Sequence, residues 1–236
     1  MKALRFALLG LVTLSTLFVQ AQTADEIIAK HIEAMGGADA WHKVTSMKQE
    51  GVLTVQGNIP VTVSTTVLNN KGMRLDLSLM GQNGYQIFTP GAAWMYFPFQ
   101  GQTKAEPMTE EQVKESADSY DVQGSMLDYQ KKGHTVTLLG KEDIDGVEVH
   151  KLQMVQKSGK TETLFIDPKT YYIIRSVSKV KANGQEMEQT TNLSNYKKLP
   201  EGIVVPMSVT LPQGELVISK VTVNGPVDEA IFKPSN

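Results

Sequence analysis

The residues best able to move a proton near neutral pH are His31, His42, His134 and His150. No two are spaced as His-x-x-x-His or His-Glu-x-x-His, so no helix face presents a pair of imidazoles to a metal. The chain has no cysteine, which removes thiolate nucleophiles, thiolate metal ligands and disulfides. Gly124-Ser125 lacks the glycine two residues on that a Gly-x-Ser-x-Gly elbow requires. The run Glu142-Asp143-Ile144-Asp145-Gly146 gathers carboxylates, but it lacks the third oxygen ligand and the terminal glutamate of a calcium loop, and Asp145-Gly146 reads as a hairpin turn. Glu110-Glu111 has the character of acidic residues in the first turn of a helix. No Gly-rich phosphate loop occurs. The sequence therefore assigns no catalytic residue, no metal and no cofactor, and binding is the chemistry that remains. Eleven methionines stand beside seven phenylalanines and two tryptophans, a soft apolar complement suited to core packing or to adaptable apolar binding.

The elements that would position such a surface are mostly strands. Thr23 and Glu26 have capping-box spacing, and Ile27, Ile28, His31 and Ile32 share a face, predicting a helix that Gly36-Gly37 ends. A short helical turn around Ala38 to Lys43 follows, pinned by Trp41. From Ser46 the pattern has period two: Leu53 and Val55, then Val61, Val63 and Val67, then Met73, Leu75, Leu77 and Leu79 alternate with polar residues. Gly57-Asn58, Asn69 to Gly72 and Asn83-Gly84 read as the turns between these strands. An aromatic strand runs from Ala93 to Phe99. Residues 100–132 break the rhythm, with a helix capped by Thr109 and a second helical piece from Val122 to Lys131. Strands resume from Thr135 to Val223, punctuated by Asp145-Gly146, Ser158-Gly159, Asp167 to Thr170 and Asn183-Gly184. The polar strand Gln185 to Tyr196 reads as an edge or a wholly wet face.

The expected fold class is mainly β with helices: one antiparallel sheet of about ten strands that curls into an unclosed barrel. The N-terminal helix and the central helices are expected to plug its concave face. Alternation selects a lining for that face: Leu53, Val63, Met73, Leu75 and Leu77, then Ile87, Trp94 and Tyr96, with Met126 and Ile166 added from later in the chain.

The first 21 residues have the layout of a secretory signal peptide. Lys2 and Arg5 precede the apolar run Phe6 to Phe18, and Val19-Gln20-Ala21 offers small residues for cleavage. The expected mature chain is a single domain over residues 22–236. It starts at Gln22, not at a cysteine that a lipid anchor would need. Removing the leader takes the formal net charge from −2 to −4. With no basic block, nucleic acid is not an expected partner.

In order along the chain, these segments resemble the bacterial LolA/LolB-like lipoprotein-carrier superfamily, of the outer-membrane lipoprotein-sorting type. The resemblance rests on Ala24 to His31 with Met35-Gly36-Gly37, on Trp94-Met95-Tyr96-Phe97-Pro98-Phe99, on Leu138 to Gly146 with Phe165 to Thr170, and on Asp228 to Pro234. It implies an unclosed barrel plugged by helices. It also implies a soluble, monomeric carrier in the periplasm of a bacterium with an outer membrane. Such a carrier takes acyl chains of lipoproteins or other lipids into an apolar cavity, without chemistry, between membrane-bound donor and acceptor proteins. An envelope sensor or assembly module that binds protein on the same fold is the alternative. Carriers of the best-known type hold their plugging helices shut through an arginine before the third strand. Lys71 and Arg74 are the residues of this chain placed to act as that latch, although alternation sets Arg74 on the side away from Met73 and Leu75.

Overall fold

The computed structural model describes residues 22–182 and 185–235. The leader and the Asn183-Gly184 turn lie outside the described residues. Helix α1 (Ala24–Ala34) starts at Thr23, whose hydroxyl accepts from the Glu26 amide while the Glu26 carboxylate accepts from the Thr23 amide. This reciprocal cap satisfies two N–H groups that the helix cannot pair internally. Helix α2 (Ala38–His42) follows. Gly36 sits at φ 108°, and a Cβ there would lie 2.3 Å from the Gly202 carbonyl oxygen. Only glycine fits that approach, and it lets the Val204 amide donate to the Met35 carbonyl at 2.8 Å. The Trp41 indole donates to the same carbonyl at 2.8 Å and pins α2 to the body.

The sheet holds β1 (Ser46–Val55), β2 (Ile59–Leu68), β3 (Gly72–Leu79), β4 (Gln82–Thr89), β5 (Ala92–Tyr96) and β6 (Glu106–Pro107) in its first half. After a short helix α3 (Glu110–Glu115) come β7 (Thr135–Ile144), β8 (Val147–Val155), β9 (Thr161–Ile166), β10 (Ile173–Ala182), β11 (Gln185–Lys198), β12 (Val204–Leu211) and β13 (Gly214–Val223). The order is β6-β5-β4-β3-β2-β1-β13-β12-β11-β10-β9-β8-β7, with β6 and β7 as the two edges. Neighbours are antiparallel, and the edges do not pair with each other, so the barrel is unclosed. Thirteen strands among the described residues replace the expected ten.

One open alternative is decided and two local expectations are corrected. β11 is an interior strand paired to β10 and β12, so its polarity marks wet faces and not an edge. The β3–β4 turn is Met80-Gly81, not Asn83-Gly84, which lies inside β4. Gly84 is required there by close approach: a Cβ would meet the Tyr96 carbonyl oxygen at 2.7 Å and the Phe99 ring at 2.9 Å. The segment Val122 to Lys131 forms consecutive turns, not a helix. Its side-chain and backbone bonds close locally, with the Lys132 ammonium donating to Asp121 and to the Gly124 carbonyl.

The sheet curls tightly. Gln86 on β4 and Gln189 on β11 line one cavity, although five strands (β3, β2, β1, β13 and β12) separate them in the sheet. At about 4.8 Å per strand a flat sheet would hold β4 and β11 roughly 29 Å apart. The face carrying Gln86 and Gln189 is therefore the inside. The same face takes α1 and the 116–134 segment. Ile27 and Ile28 pack with Leu152, Leu164 and Ile166, while Val122 packs with Val44, Val205 and Ile218.

Candidate functional site

Register decides which side chains share the inside. Leu53 pairs with Val61, Val63 with Leu77, Leu75 with Gln86, Met73 with Phe88, and Gln86 with Met95. Cross-strand partners point to the same face, so these residues form one continuous inner surface. Its largely aliphatic side chains are only partly covered. Val61 and Val63 are buried, but Leu53, Met73, Leu75, Leu77, Phe88, Met95, Val209 and Leu216 are half-buried. An enclosed core would hide such residues. Here they keep part of their surface accessible on the inside of the curl.

A cavity of about 890 Å³ at the mouth meets this surface at Gln86, Phe88 and Met95, and Leu53, Val63, Met73, Leu75 and Leu77 are not among the residues that line it. Phe88, Met95 and Met108 are its apolar part. α3, the turn between β8 and β9, and the ends of β10 and β11 complete its walls.

The 116–134 segment, whose Ser116 and Ser119 line the same cavity, covers part of the inside of the curl and is fastened on several sides. The Asn69 side chain accepts from the Val122 amide at 3.2 Å, and the Asn70 amide donates to the Tyr120 carbonyl at 2.9 Å. The Ser158 hydroxyl donates to Asp118 at 2.6 Å, His42 meets Asp128 at 2.8 Å, and Tyr129 donates to Asp25 on α1. These are short polar contacts at the segment's borders, and its apolar anchors are Val122, Met126 and Leu127. A groove lined by Ile28, Ala29, Ile32, Met126 and Tyr129 runs between α1 and the segment.

Lys71 and Arg74 do not hold this cover. Arg74 points to the outer face. Its guanidinium bonds Asp76 at 2.8 Å and the Ile231 carbonyl at 2.9 Å, and lies 4.4 Å from the centre of the Tyr85 ring. Lys71 pairs with Glu229 at 2.9 Å. Both cations thus fasten the C-terminal strap, whose 3₁₀ turn (Glu229–Phe232) lies on the outside of β3 and β4. The turn that carries Lys71 does fasten the cover, but through Asn69 and Asn70.

The strap also explains where three other predicted lining residues go. Ile87 pairs with Arg74 and with Trp94, and Tyr96 pairs with Tyr85. Ile87, Trp94 and Tyr96 therefore face outward, under Phe232, Ile231 and Val227. Leu53, Val63, Met73, Leu75 and Leu77 are brought together on the inner face. Met126 and Ile166 also lie inside, but in the tight core beneath α1. Phe88, Met95 and Leu216 belong to the inner surface and were not selected from the sequence, though cross-strand register would have placed them there.

Of the histidines, His42 holds the cover through Asp128, and the others have separate local surroundings. The His31 Nδ1–H donates to the Tyr171 carbonyl at 2.8 Å; burial holds this imidazole below its ordinary pKa, against the opposing effect of that bond. Burial, and then the charges of Lys141 and Lys30, do the same to His150, whose Nε2 has no hydrogen-bond partner among the described residues. His134 accepts from the Lys157 amide at 3.0 Å. Among the described residues no group of three or more His, Asp or Glu side chains is placed to hold a metal ion.

No protein-family model and no curated protein matches the sequence. Solved structures match it along most of its length. A LolA superfamily protein from Nitrosomonas europaea superposes with a TM-score of 0.55 at 14% identity, covering 90% of this chain and 98% of the other. A domain named for outer-membrane lipoprotein sorting, from Vibrio parahaemolyticus, gives 0.51 at 14%, covering 88% and 94%. A DUF1329 family protein from Desulfovibrio piger gives 0.55 at 13%, covering 90% and 98%. The chain has the LolA-like fold. In this LolA-like chain the unclosed barrel and the helix on the concave side agree with the architecture expected from the sequence. Among the described residues no helix is long and apolar enough to cross a membrane.

Proposed function

We propose that this protein is an exported, monomeric carrier of acyl chains. It receives lipoproteins or lipids from a membrane-bound donor, holds their chains inside the curled sheet, and passes them toward the outer membrane without chemistry. The observation that carries this reading is the inner surface around Leu53, Met73, Leu75, Leu77 and Phe88, apolar and only partly buried on the inside of the curl. Each methylene moved from water into such a surface contributes about 0.8 kcal/mol, so even part of a chain binds usefully and reversibly. The polar border contacts of the 116–134 cover fit a part that moves: each contributes about 1 kcal/mol net, and water replaces them when the cover lifts. The leader at residues 1–21 and the LolA-like fold support export to the periplasm.

The test is uptake of a fluorescent fatty-acid probe by the chain from Gln22, together with mass spectrometry of whatever organic-extractable ligand accompanies it. Saturable uptake and a co-purified acyl compound are expected. A chain that takes up no probe and carries no lipid refutes the reading.

A further inference from the structure

The cavity at the mouth carries charge beside its apolar wall. Lys114 on α3 and Lys160 after the β8–β9 turn both line it, and neither has an ion-pair partner among the described residues. Lys179, a third lysine of the lining, lies 3.8 Å from Glu186 and is matched by it. The unmatched ammoniums thus belong to two different walls of one cavity, which Phe88 and Met95 also line. Those two residues in turn continue, through the pairings Met73–Phe88 and Leu75–Gln86, onto the partly buried aliphatic surface. This is the layout an amphiphile needs when an anion sits immediately above its chains. A glycerophospholipid has that anion as its phosphodiester. The acylated cysteine of a lipoprotein joins its chains to a thioether and an amide and has no anion at that place.

Resting on the carrier reading, we propose that the cargo is a glycerophospholipid whose phosphodiester is held between Lys114 and Lys160 while its chains run past Phe88 and Met95 onto Met73 and Leu75. The site selects among amphiphiles by head group, and a free phospholipid is preferred to a lipidated polypeptide.

The experiment uses the chain from Gln22, stripped of bound lipid. Binding is measured for four chain-labelled probes: phosphatidylethanolamine, phosphatidylglycerol, diacylglycerol and a triacylated lipopeptide. Both phospholipids are expected to bind about tenfold tighter than diacylglycerol or lipopeptide, the scale of hydrogen bonds to a charged group. The double variant Lys114→Gln/Lys160→Gln should bring phospholipid binding down to the level of diacylglycerol and leave diacylglycerol unchanged. Lys114→Arg/Lys160→Arg should keep it. Both lysines lie on the surface, so unchanged melting midpoints will show that the variants fold. Equal phospholipid binding by parent and double variant overturns the proposal, as does lipopeptide binding as tight as phospholipid. If all four probes bind alike, the carrier reading stands and the head-group site falls. If none binds, both fall.

Discussion

Truncating one aliphatic side chain on each face of the first half-sheet separates ligand surface from core. Leu75 and Ile87 lie on adjacent strands, three carbons beyond alanine in each case, yet their surroundings differ. Ile87 is 0% exposed and sits beneath the strap with Phe232. Leu75 is only partly buried on the inside of the curl. Ile87→Ala should therefore cost the ordinary price of a large-to-small core change, about 2–5 kcal/mol. For a chain of this size that lowers the melting midpoint by roughly 5–15 °C. Leu75→Ala leaves little cavity and should cost about 1 kcal/mol, roughly 2–4 °C. Ligand binding should reverse the order. If an acyl chain covers Leu75, removing about three carbons loses about 2 kcal/mol of burial, which is roughly thirtyfold in affinity. Ile87→Ala should leave affinity within about twofold. The assay is equilibrium titration with a fluorescent fatty-acid probe, paired with thermal melting of each variant under the same buffer. Loss of probe affinity in Ile87→Ala, or a Leu75→Ala variant that melts as early as Ile87→Ala while binding normally, would refute the assignment of the two faces.

Asn69→Ala removes the acceptor of the Val122 amide; it should cost about 1 kcal/mol and make the 116–134 segment the first site cut in limited proteolysis. Tyr85→Phe deletes a hydroxyl that donates to the Ser235 carbonyl at 2.7 Å and accepts from the Ser235 amide at 3.0 Å; carboxypeptidase should then shorten the strap faster, with probe binding unchanged. His31 and His150 are both held below the ordinary histidine pKa of about 6.5. The unfolded chain therefore binds more protons than the folded one below that pH. Stability should be full above pH 6.5 and fall as the pH drops, until the folded imidazoles titrate as well. Denaturant midpoints measured from pH 8 to pH 5 should show this fall, and His31→Gln should reduce it.

Much of the fold was legible because its signals are local. Thr23 and Glu26 announce α1, and Gly57-Asn58, Asp145-Gly146 and Asp167 to Thr170 fall at real turns. Period-two alternation from Leu53 to Leu79 needs only neighbouring residues to be seen. The cover was not legible in the same way. Val122, Met126, Leu127 and Tyr129 have spacing that suits a helix, but Gly124 at φ 79° and Asp128 at φ 52° interrupt any helical run. A segment held by contacts to Asn69, His42 and Asp25 takes its shape from three distant parts of the chain.

The site was half legible, and the missing half follows from parity. Alternation within β3 puts Met73, Leu75 and Leu77 on one face and Arg74 on the other, and alternation within β4 and β5 groups Ile87, Trp94 and Tyr96. It does not say how the two groups relate. A two-residue hairpin turn does: it pairs odd-numbered positions with even-numbered ones, whether the turn is Met80-Gly81 or the mistaken Asn83-Gly84, because moving it by three residues shifts each partner by six. Ile87 must then face the same way as Arg74, away from Leu75. Both groups are apolar because both faces of this half-sheet are used, the inner one only partly buried and the outer one closed by the strap at Ile231 and Phe232. An apolar stripe in such a sheet reports that something covers it. Whether the cover is the chain's own C-terminus or a ligand is decided by register: Ile87 lies under the strap at 0% exposure, whereas Leu75 faces the inside and is only partly buried.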